Sequence, residues 1–193
     1  PEESILAVGG EMKSSFTYLF NGIPFISQYL GDLANFGTQN AFEHVVQHFI
    51  SLFNDTPSVI LHDLHPGYFS TELAEKLSLK YKGKLQGVQH HIAHFSAILG
   101  EHDLFSSDEK VLGVIWDGTG YGSDGNIWGG ELFNFENKKI SRSGQLKYFP
   151  FILGDKMARE PRISALALCY AAGKADHLVD KFSEIEWKLY NGM

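Results

Sequence analysis

The order of predicted elements, three strands followed by a helix, occurs twice in this chain and limits the folds that it can adopt. Each copy opens with a short apolar strand that ends in a glycine turn, at residues 4–10 and again at residues 111–125. The two copies share no sequence repeat, so only the order of the elements is repeated. Strands and helices mixed in this way predict an α/β protein.

The first copy contains the strongest hairpin signal in the chain. Asn21-Gly22 lies between two apolar runs, which favours a two-residue β-hairpin. Apolar residues at helical spacing follow over residues 40–53, and the segment 54–57 ends this helix. The later elements are predicted as a strand at 59–61, a helix at 70–77, a strand at 86–89 and a helix at 90–99. We therefore predict that residues 1–108 form a first lobe with the order βββαβαβα.

The second copy is shorter than the first. Its predicted elements are strands at residues 111–116, 127–135 and 141–148, and a helix at residues 163–172. We predict that residues 109–193 form the start of a second lobe with the order βββα. This lobe is expected to be truncated, because the strands that complete the first lobe have no counterpart in it. Pro1 is not an initiator methionine, and we expect the chain to be part of a longer protein.

Composition and charge exclude several classes of protein. Hydrophobic residues make up 44% of the 193 residues, which excludes a disordered chain and allows a buried core. The net charge of −7, without a basic run, disfavours nucleic acid as a partner. No apolar run approaches the roughly 20 residues of a membrane helix, so no membrane association is expected. Cys169 is the only cysteine and cannot form an intrachain disulfide, which indicates a reducing, cytoplasmic location.

Two histidines indicate a metal site. His90 and His94 are four residues apart, so on a helix they project from one face about one turn from each other. Two imidazoles in this arrangement can share a divalent metal ion. The alternative is a helix start whose histidines only bond to nearby carbonyl groups. His91 stands where zinc proteases have a glutamate, so the general base of a metalloprotease is missing.

A glycine-rich segment follows the strand predicted at residues 111–116. Asp117-Gly118-Thr119-Gly120 resembles the phosphate-binding hairpins of actin-like and sugar-kinase ATPases. The glycines would let backbone N–H groups approach phosphate oxygens, Thr119 would add a hydroxyl donor, and Asp117 would hold a divalent ion. The alternative is a hairpin that needs glycine only for its backbone conformation.

Three further segments are weaker candidates. Lys13 follows the glycine turn of the first copy and could reach a phosphate, although a lone lysine there also suits plain solvation. Residues 62–67 follow the carboxyl end of a buried strand, where open α/β sheets bind ligands, but they also suit a simple turn. Residues 153–162 lead into the last predicted helix, and Pro161 is common at a helix start.

Taken together and in order, seven short motifs resemble one family. They lie at residues 7–13, 30–33, 62–68, 88–94, 117–122, 128–131 and 159–161. The set resembles the carboxy-terminal module of the HypF-type carbamoyltransferases, which mature nickel–iron hydrogenases, and it covers nearly the whole chain. The resemblance implies a two-lobed fold of the actin-like ATPase type, which is ribonuclease H-like and related to the TsaD-like threonylcarbamoyl-transfer proteins.

The resemblance also implies a reaction and a partner. In this family carbamoyl phosphate and ATP yield a carbamoyl-adenylate. The module represented here then passes the carbamoyl group to the C-terminal cysteine thiol of HypE, where it becomes the precursor of a cyanide ligand. The implied cofactors are therefore ATP, as the carbamoyl-adenylate, and a divalent metal ion that is iron, zinc or magnesium.

Site residues are implied by position within the matching motifs. The metal ligands would be His90, His94 and Asp117, with one further acidic ligand expected beyond residue 193. The residues that would bind the nucleotide are Gly118, Thr119, Gly120 and Gly130, with Lys13 and Asp155 as weaker candidates.

Three other functions are considered for the same residues. A TsaD-like enzyme that acts on tRNA would share the fold and the two histidines, but the acidic charge and the Asp117-Gly118-Thr119-Gly120 sequence argue against it. A metalloprotease is disfavoured by the missing glutamate after His90. A non-catalytic module that binds nucleotide or a protein partner would show ATP binding without turnover.

Overall fold

The first sheet of the computed structural model holds five strands. The structure describes residues 3–191, except for the side chains of Asp155, Ala158 and Asn191. The strands are β1 (Ile5–Ala7), β2 (Thr17–Phe20), β3 (Ile23–Ile26), β4 (Val59–Asp63) and β5 (Lys84–Val88), in the spatial order β3-β2-β1-β4-β5. The first three strands are antiparallel neighbours, whereas β4 runs parallel to β1 and β5 runs parallel to β4. The carboxyl ends of β4 and β5 therefore lie side by side.

Three helices accompany this sheet. They are α1 (Phe36–Phe53), α2 (Phe69–Tyr81) and α3 (His90–Glu101). Asn35 caps α1, because its side chain accepts hydrogen bonds from the N–H groups of Gly37 and Thr38. The helix ends at Asn54, which has left-handed backbone angles and replaces the usual glycine. The core of the lobe combines the apolar stripe of α1 with side chains from the sheet and α2, among them Leu6, Phe16, Phe42, Val46, Ile60 and Leu73.

The second sheet is a three-stranded antiparallel meander. It contains β6 (Val111–Tyr121), β7 (Ile127–Glu136) and β8 (Lys139–Gln145), in the order β6-β7-β8. One face of this sheet packs against α3 through Phe95, Leu99, Phe133 and Phe135. Gly113 allows a close approach here, since a Cβ atom at this position would lie 2.6 Å from the Phe95 ring. Helix α3 therefore contacts the second sheet directly.

The prediction that a glycine turn begins at residue 117 is wrong. Strand β6 continues to Tyr121, and the turn that follows is shorter, with Gly122 N–H bonded to the carbonyl of Asn126. Trp116 pairs with Gly130, and Gly120 pairs with Trp128. Residues 117–119 of β6 therefore lie opposite a single residue of β7, Gly129. The extra residues form a bulge within the strand, hereafter the 117–119 bulge, because β6 pairs with β7 on both sides of it.

The remaining residues form a helical segment with its own small core. Its helices are α4 (Asp155–Arg159), α5 (Pro161–Ala171) and α6 (Glu184–Asn191). The helix predicted at residues 163–172 corresponds to α5, whereas α4 and α6 were not predicted. Their apolar core includes Met157, Ile163, Leu166, Phe182 and Tyr190. Within residues 3–191, no helix is long and apolar enough to span a membrane. The predicted division into lobes at residues 108 and 109 stays a prediction.

Replacement of Phe42 by alanine tests the packing of α1 on the sheet. Phe42 is fully buried and contacts Phe16 edge to face, with ring centroids 5.6 Å apart. We expect Phe42→Ala to lower the free energy of unfolding by about 3–5 kcal/mol, measured by urea denaturation. Phe36→Ala on the same helix is the matched control, because Phe36 is 74% exposed and should change stability by less than about 0.5 kcal/mol. Equal effects of the two changes would contradict this packing.

Candidate metal and nucleotide site

Three predicted metal ligands meet at the junction of the two sheets. His90 and His94 lie on the first turn and a half of α3, and Asp117 opens the 117–119 bulge of β6. The Nε2 atoms of the two histidines are 3.1 Å apart. Asp117 Oδ2 lies 2.9 Å from His90 Nε2 and 3.6 Å from His94 Nε2. Within the described part of the chain, this is the one group of three or more potential ligands whose donor atoms all lie within 4.8 Å of one another.

The atoms around His90 favour a cation at this point. His90 Nδ1 lies 2.8 Å from Asp63 Oδ2, so a neutral imidazole in this position would donate its one proton to Asp63. The Nε2 lone pair of a neutral His90 would then face the Asp117 carboxylate and the second imidazole, which is repulsive unless a cation lies between them or His90 takes up a second proton. Asp117 Oδ2 is buried and has no hydrogen bond of acceptable geometry among the described residues. A divalent cation bound by the three side chains would satisfy each of these atoms.

The same contacts shift the pKa values of the pair. The hydrogen bond to Asp63 is the main reason that the pKa of His90 lies above its ordinary value, and the Asp117 charge adds to the effect. Burial alone would raise the pKa of Asp63, but the bonds from His90 and from the backbone N–H of His65 outweigh it and lower that pKa. The lowered pKa of Asp63 favours its carboxylate form, and the raised pKa of His90 favours a protonated ring when no cation is bound.

Asp63 contacts His90 from the end of β4, and the sequence did not reveal this contact. It is the last residue of β4 and only 7% exposed, and its Oδ1 accepts the N–H of His65 at 2.9 Å. The segment 62–67 was predicted only as a turn or a ligand edge. The parallel pairing of β4 with β5 places Asp63 beside the start of α3, which is how it reaches His90. A carboxylate that holds the second nitrogen of a metal-binding imidazole fixes its tautomer and its orientation.

The predicted phosphate-binding residues differ in their surroundings. Gly118 and Thr119 are exposed in the bulge and line a cavity of about 230 Å³ together with Asp117 and Gly130. A Cβ atom at Gly118 would meet no atom within 4 Å, so its backbone is open to a ligand. Gly120, by contrast, is buried, and a Cβ atom there would lie 2.5 Å from the His91 ring. Packing against His91 is sufficient to require a glycine at that position.

The other walls of this cavity are largely aromatic. Its aromatic side chains are Trp116, Trp128, Tyr148, Phe149 and Phe151. Arg142 holds two of them in place: its guanidinium lies 3.8 Å from the centre of the Trp128 ring and donates to the Tyr148 hydroxyl at 2.7 Å. The guanidinium also pairs with Glu131, which is 2% exposed. The cavity thus has a polar end at the bulge and an aromatic end, where Arg142 contacts two of the rings.

The structure describes the side chain of one of the two weaker nucleotide candidates, Lys13, but not that of the other, Asp155. Lys13 is exposed in the loop before β2, with a backbone φ of 50°, and it is not among the described residues that line the cavity. Asp155 begins α4, and its side chain lies outside the described part of the structure. Met157, two residues later, does line the cavity. The predicted roles of Lys13 and Asp155 in nucleotide binding stay predictions.

Comparison with known proteins gives consistent matches along the chain. Residues 1–101 match the family described as "HypF Kae1-like domain", and residues 113–191 match "Carbamoyltransferase, Kae1-like Domain, second subdomain". Carbamoyltransferase HypF2 of Cupriavidus necator is 38% identical over 179 residues, which are 93% of this chain and 22% of that protein. Carbamoyltransferase HypF of a Synechocystis species is 35% identical over 190 residues, which are 98% of this chain and 24% of that protein.

Solved structures agree with these matches. A crystal structure of full-length HypF in a phosphate- and nucleotide-bound form superposes with a TM-score of 0.84 at 36% identity, covering 98% of this chain and 24% of that one. The HypF of T. kodakarensis gives a TM-score of 0.84 at 28% identity over 94% of this chain and 24% of that one. These structures confirm the predicted α/β fold class, the actin-like or ribonuclease H-like type. The chain spans about a quarter of the length of the relatives that it matches.

Replacement of Asp63 by asparagine tests the support of His90. The asparagine side chain would keep the size of the aspartate but remove the negative charge that fixes the proton on His90 Nδ1. We expect Asp63→Asn to weaken the binding of Co²⁺, used as a spectroscopic probe, by about 10- to 100-fold in a chelator competition assay. Asp108→Asn, at an exposed position, should leave the affinity unchanged. An affinity equal to that of the unmodified protein would remove Asp63 from the site.

Proposed function

Because this chain belongs to the HypF carbamoyltransferase family through its Kae1-like domain, we propose that it is the carbamoyl-transfer part of a HypF-like hydrogenase maturation protein. In this proposal it binds ATP or the carbamoyl-adenylate made from carbamoyl phosphate. It then passes the carbamoyl group to the C-terminal cysteine of a HypE-like protein. The observation that supports the proposal most directly is the shared position of Asp117, which faces two histidines and also borders the cavity.

The donor set supports a divalent metal ion of intermediate softness. His90, His94 and Asp117 would supply two nitrogen ligands and one oxygen ligand, with any further ligand coming from substrate, water or another segment. Imidazole ligands suit iron and zinc better than magnesium, which prefers oxygen. We therefore propose iron or zinc over magnesium. A bound cation would offset the negative charge of the adenylate phosphate.

The bulge and cavity support a nucleotide with its phosphate near the metal ligands. The backbone of Gly118 and the hydroxyl of Thr119 would donate to phosphate oxygens beside Asp117. Gly130 would form part of the wall, and Gly120 would act indirectly, through its packing beneath the bulge. The aromatic end would take the planar base. Exclusion of water there would protect a carbamoyl-adenylate from hydrolysis.

The proposed transfer step moves the carbamoyl group from the adenylate phosphate to the thiol of the partner. The acceptor thiol, after losing its proton to solvent, would attack the carbamoyl carbon and form a carbon–sulfur bond. The bond between that carbon and the phosphate oxygen would break, and AMP would leave with the electron pair. The residues of this chain would hold the adenylate and orient its reacting carbon while the partner supplies the nucleophile.

Removal of both histidine ligands tests the transfer step. We expect His90→Ala with His94→Ala, in the full chain that carries all HypF segments, to abolish metal content and carbamoylation of the HypE-like partner. Carbamoyl phosphate-dependent ATP–pyrophosphate exchange should continue, because the adenylate would be made elsewhere. The measurements are metal analysis, mass spectrometry of the partner and radiolabel exchange.

A second histidine pair provides a matched control. His44 and His48 are also four residues apart, but both lie on α1, away from the site. His44→Ala with His48→Ala should leave metal content and carbamoylation unchanged. Normal metal content and transfer in the His90 and His94 variant would contradict the proposal, and a shift of tRNA by the chain would favour a TsaD-like activity instead.

Asp117→Ala tests the link between the metal ligands and the nucleotide. Because Asp117 borders both, we expect this change to weaken nucleotide binding at least tenfold in an equilibrium titration with a fluorescent ATP analogue. Asp108→Ala removes an exposed aspartate of the same charge and should have no effect. An unchanged affinity for the analogue in Asp117→Ala would separate Asp117 from the nucleotide site.

A further inference from the structure

Gln89 is a buried amide whose polar atoms are all engaged. The residue is 5% exposed and immediately precedes α3. Its Oε1 accepts the N–H of Ile92 at 3.0 Å and so caps the helix. Its Nε2 donates to the backbone carbonyl of Tyr121 at 3.2 Å and faces His91 Nδ1 at 3.2 Å. Because the helix N–H fixes which end of the amide is the oxygen, the NH₂ group must face Tyr121 and His91.

These bonds connect the two elements that hold the candidate metal ligands. Gln89 is next to His90 at the start of α3, and Tyr121 is the last residue of β6. Asp117 lies four residues before Tyr121, in the part of β6 where the ladder to β7 is interrupted by the bulge. Ladder bonds therefore do not fix the bulge along its whole length. The hydrogen bond from Gln89 to Tyr121 connects the start of α3 to β6, two residues after the end of the bulge.

His91 provides the second half of this connection. Its ring is fully buried and packs under Gly120, where a Cβ atom would lie 2.5 Å from ring carbon Cε1. His91 Nδ1 accepts from Gln89, whereas its buried Nε2 has no hydrogen-bond partner within the described residues. The orientation of the ring is thus set from the Gln89 side. Gln89 thus contacts the ring that packs under Gly120, the residue directly after the bulge.

We propose that Gln89 is a positioning residue of the metal centre, which sets the distance between Asp117 on β6 and the histidines on α3. The inference rests on the proposed metal site, but it concerns a residue that is not among the candidate ligands of the metal or the nucleotide. Three ligands on two elements bind one ion tightly only if the elements keep a fixed spacing. Loss of the Gln89 donors would leave all three ligands in place and loosen their mutual geometry.

Two substitutions at Gln89 separate this role from helix capping. Gln89→Glu keeps the shape and the acceptor for Ile92 but loses both N–H donors. Gln89→Ser keeps a side chain that caps helices well and is too short to reach Tyr121. In the full chain, we expect each variant to bind Co²⁺ at least tenfold more weakly in chelator competition, with a changed visible absorption spectrum of the bound Co²⁺.

Gln39→Glu is the matched control for the loss of an amide donor. Gln39 donates from Nε2 to the carbonyl of Leu33 at 2.7 Å, on α1 and away from the site. Gln39→Glu should lower the melting temperature while the Co²⁺ affinity and the absorption spectrum stay unchanged. Folded Gln89 variants with the affinity and spectrum of the unmodified protein would overturn the inference alone. Absence of Co²⁺ binding by the unmodified protein would contradict the proposed metal centre and, with it, this inference.

Discussion

The hydrogen bond between Asp63 and His90 is the interaction on which the candidate site depends. It joins the carboxyl end of β4 to the first residue of α3 at 2.8 Å, and it directs the other nitrogen of His90 toward Asp117. The parallel pairing of β4 and β5 makes this bond possible, because the chain leaves β5 directly into α3 beside Asp63. The first sheet thus determines where a ligand of the second sheet can meet the histidines.

The bulge in β6 contributes in a different way. A regular strand would direct residues 117–119 alternately to the two faces of the sheet and bond them to β7. With three residues opposite one, the strand directs Asp117 toward α3 while Gly118 and Thr119 open toward the cavity. Bulges near functional sites often redirect a side chain in this manner. Here one irregularity positions both a candidate metal ligand and the backbone predicted to bind phosphate.

The sequence predicted these features to different extents. The hairpin at Asn21-Gly22 and the helix that begins at His90 were predicted because local turn chemistry and apolar spacing determine them. The extension of β6 through its glycines was missed, because it depends on pairing with residues 128–130. Asp63 was missed as a partner of His90 because a contact across 27 residues leaves no local pattern. Glycine composition alone also could not separate Gly118, which is open, from Gly120, which packs on His91.

The two ends of the cavity are held by different contacts. Its polar end is set by backbone and by contacts from α3, whereas its aromatic end is held by Arg142 between Trp128, Tyr148 and buried Glu131. A guanidinium that stacks and bonds at once keeps aromatic rings in one orientation without itself entering the cavity. In the proposed function, a bound adenylate would meet two rings that Arg142 already orders, so less binding free energy would be lost to ordering those side chains. In the proposed function, the energy retained would be available to hold the reacting carbon beside the candidate metal ligands, where the acceptor would approach.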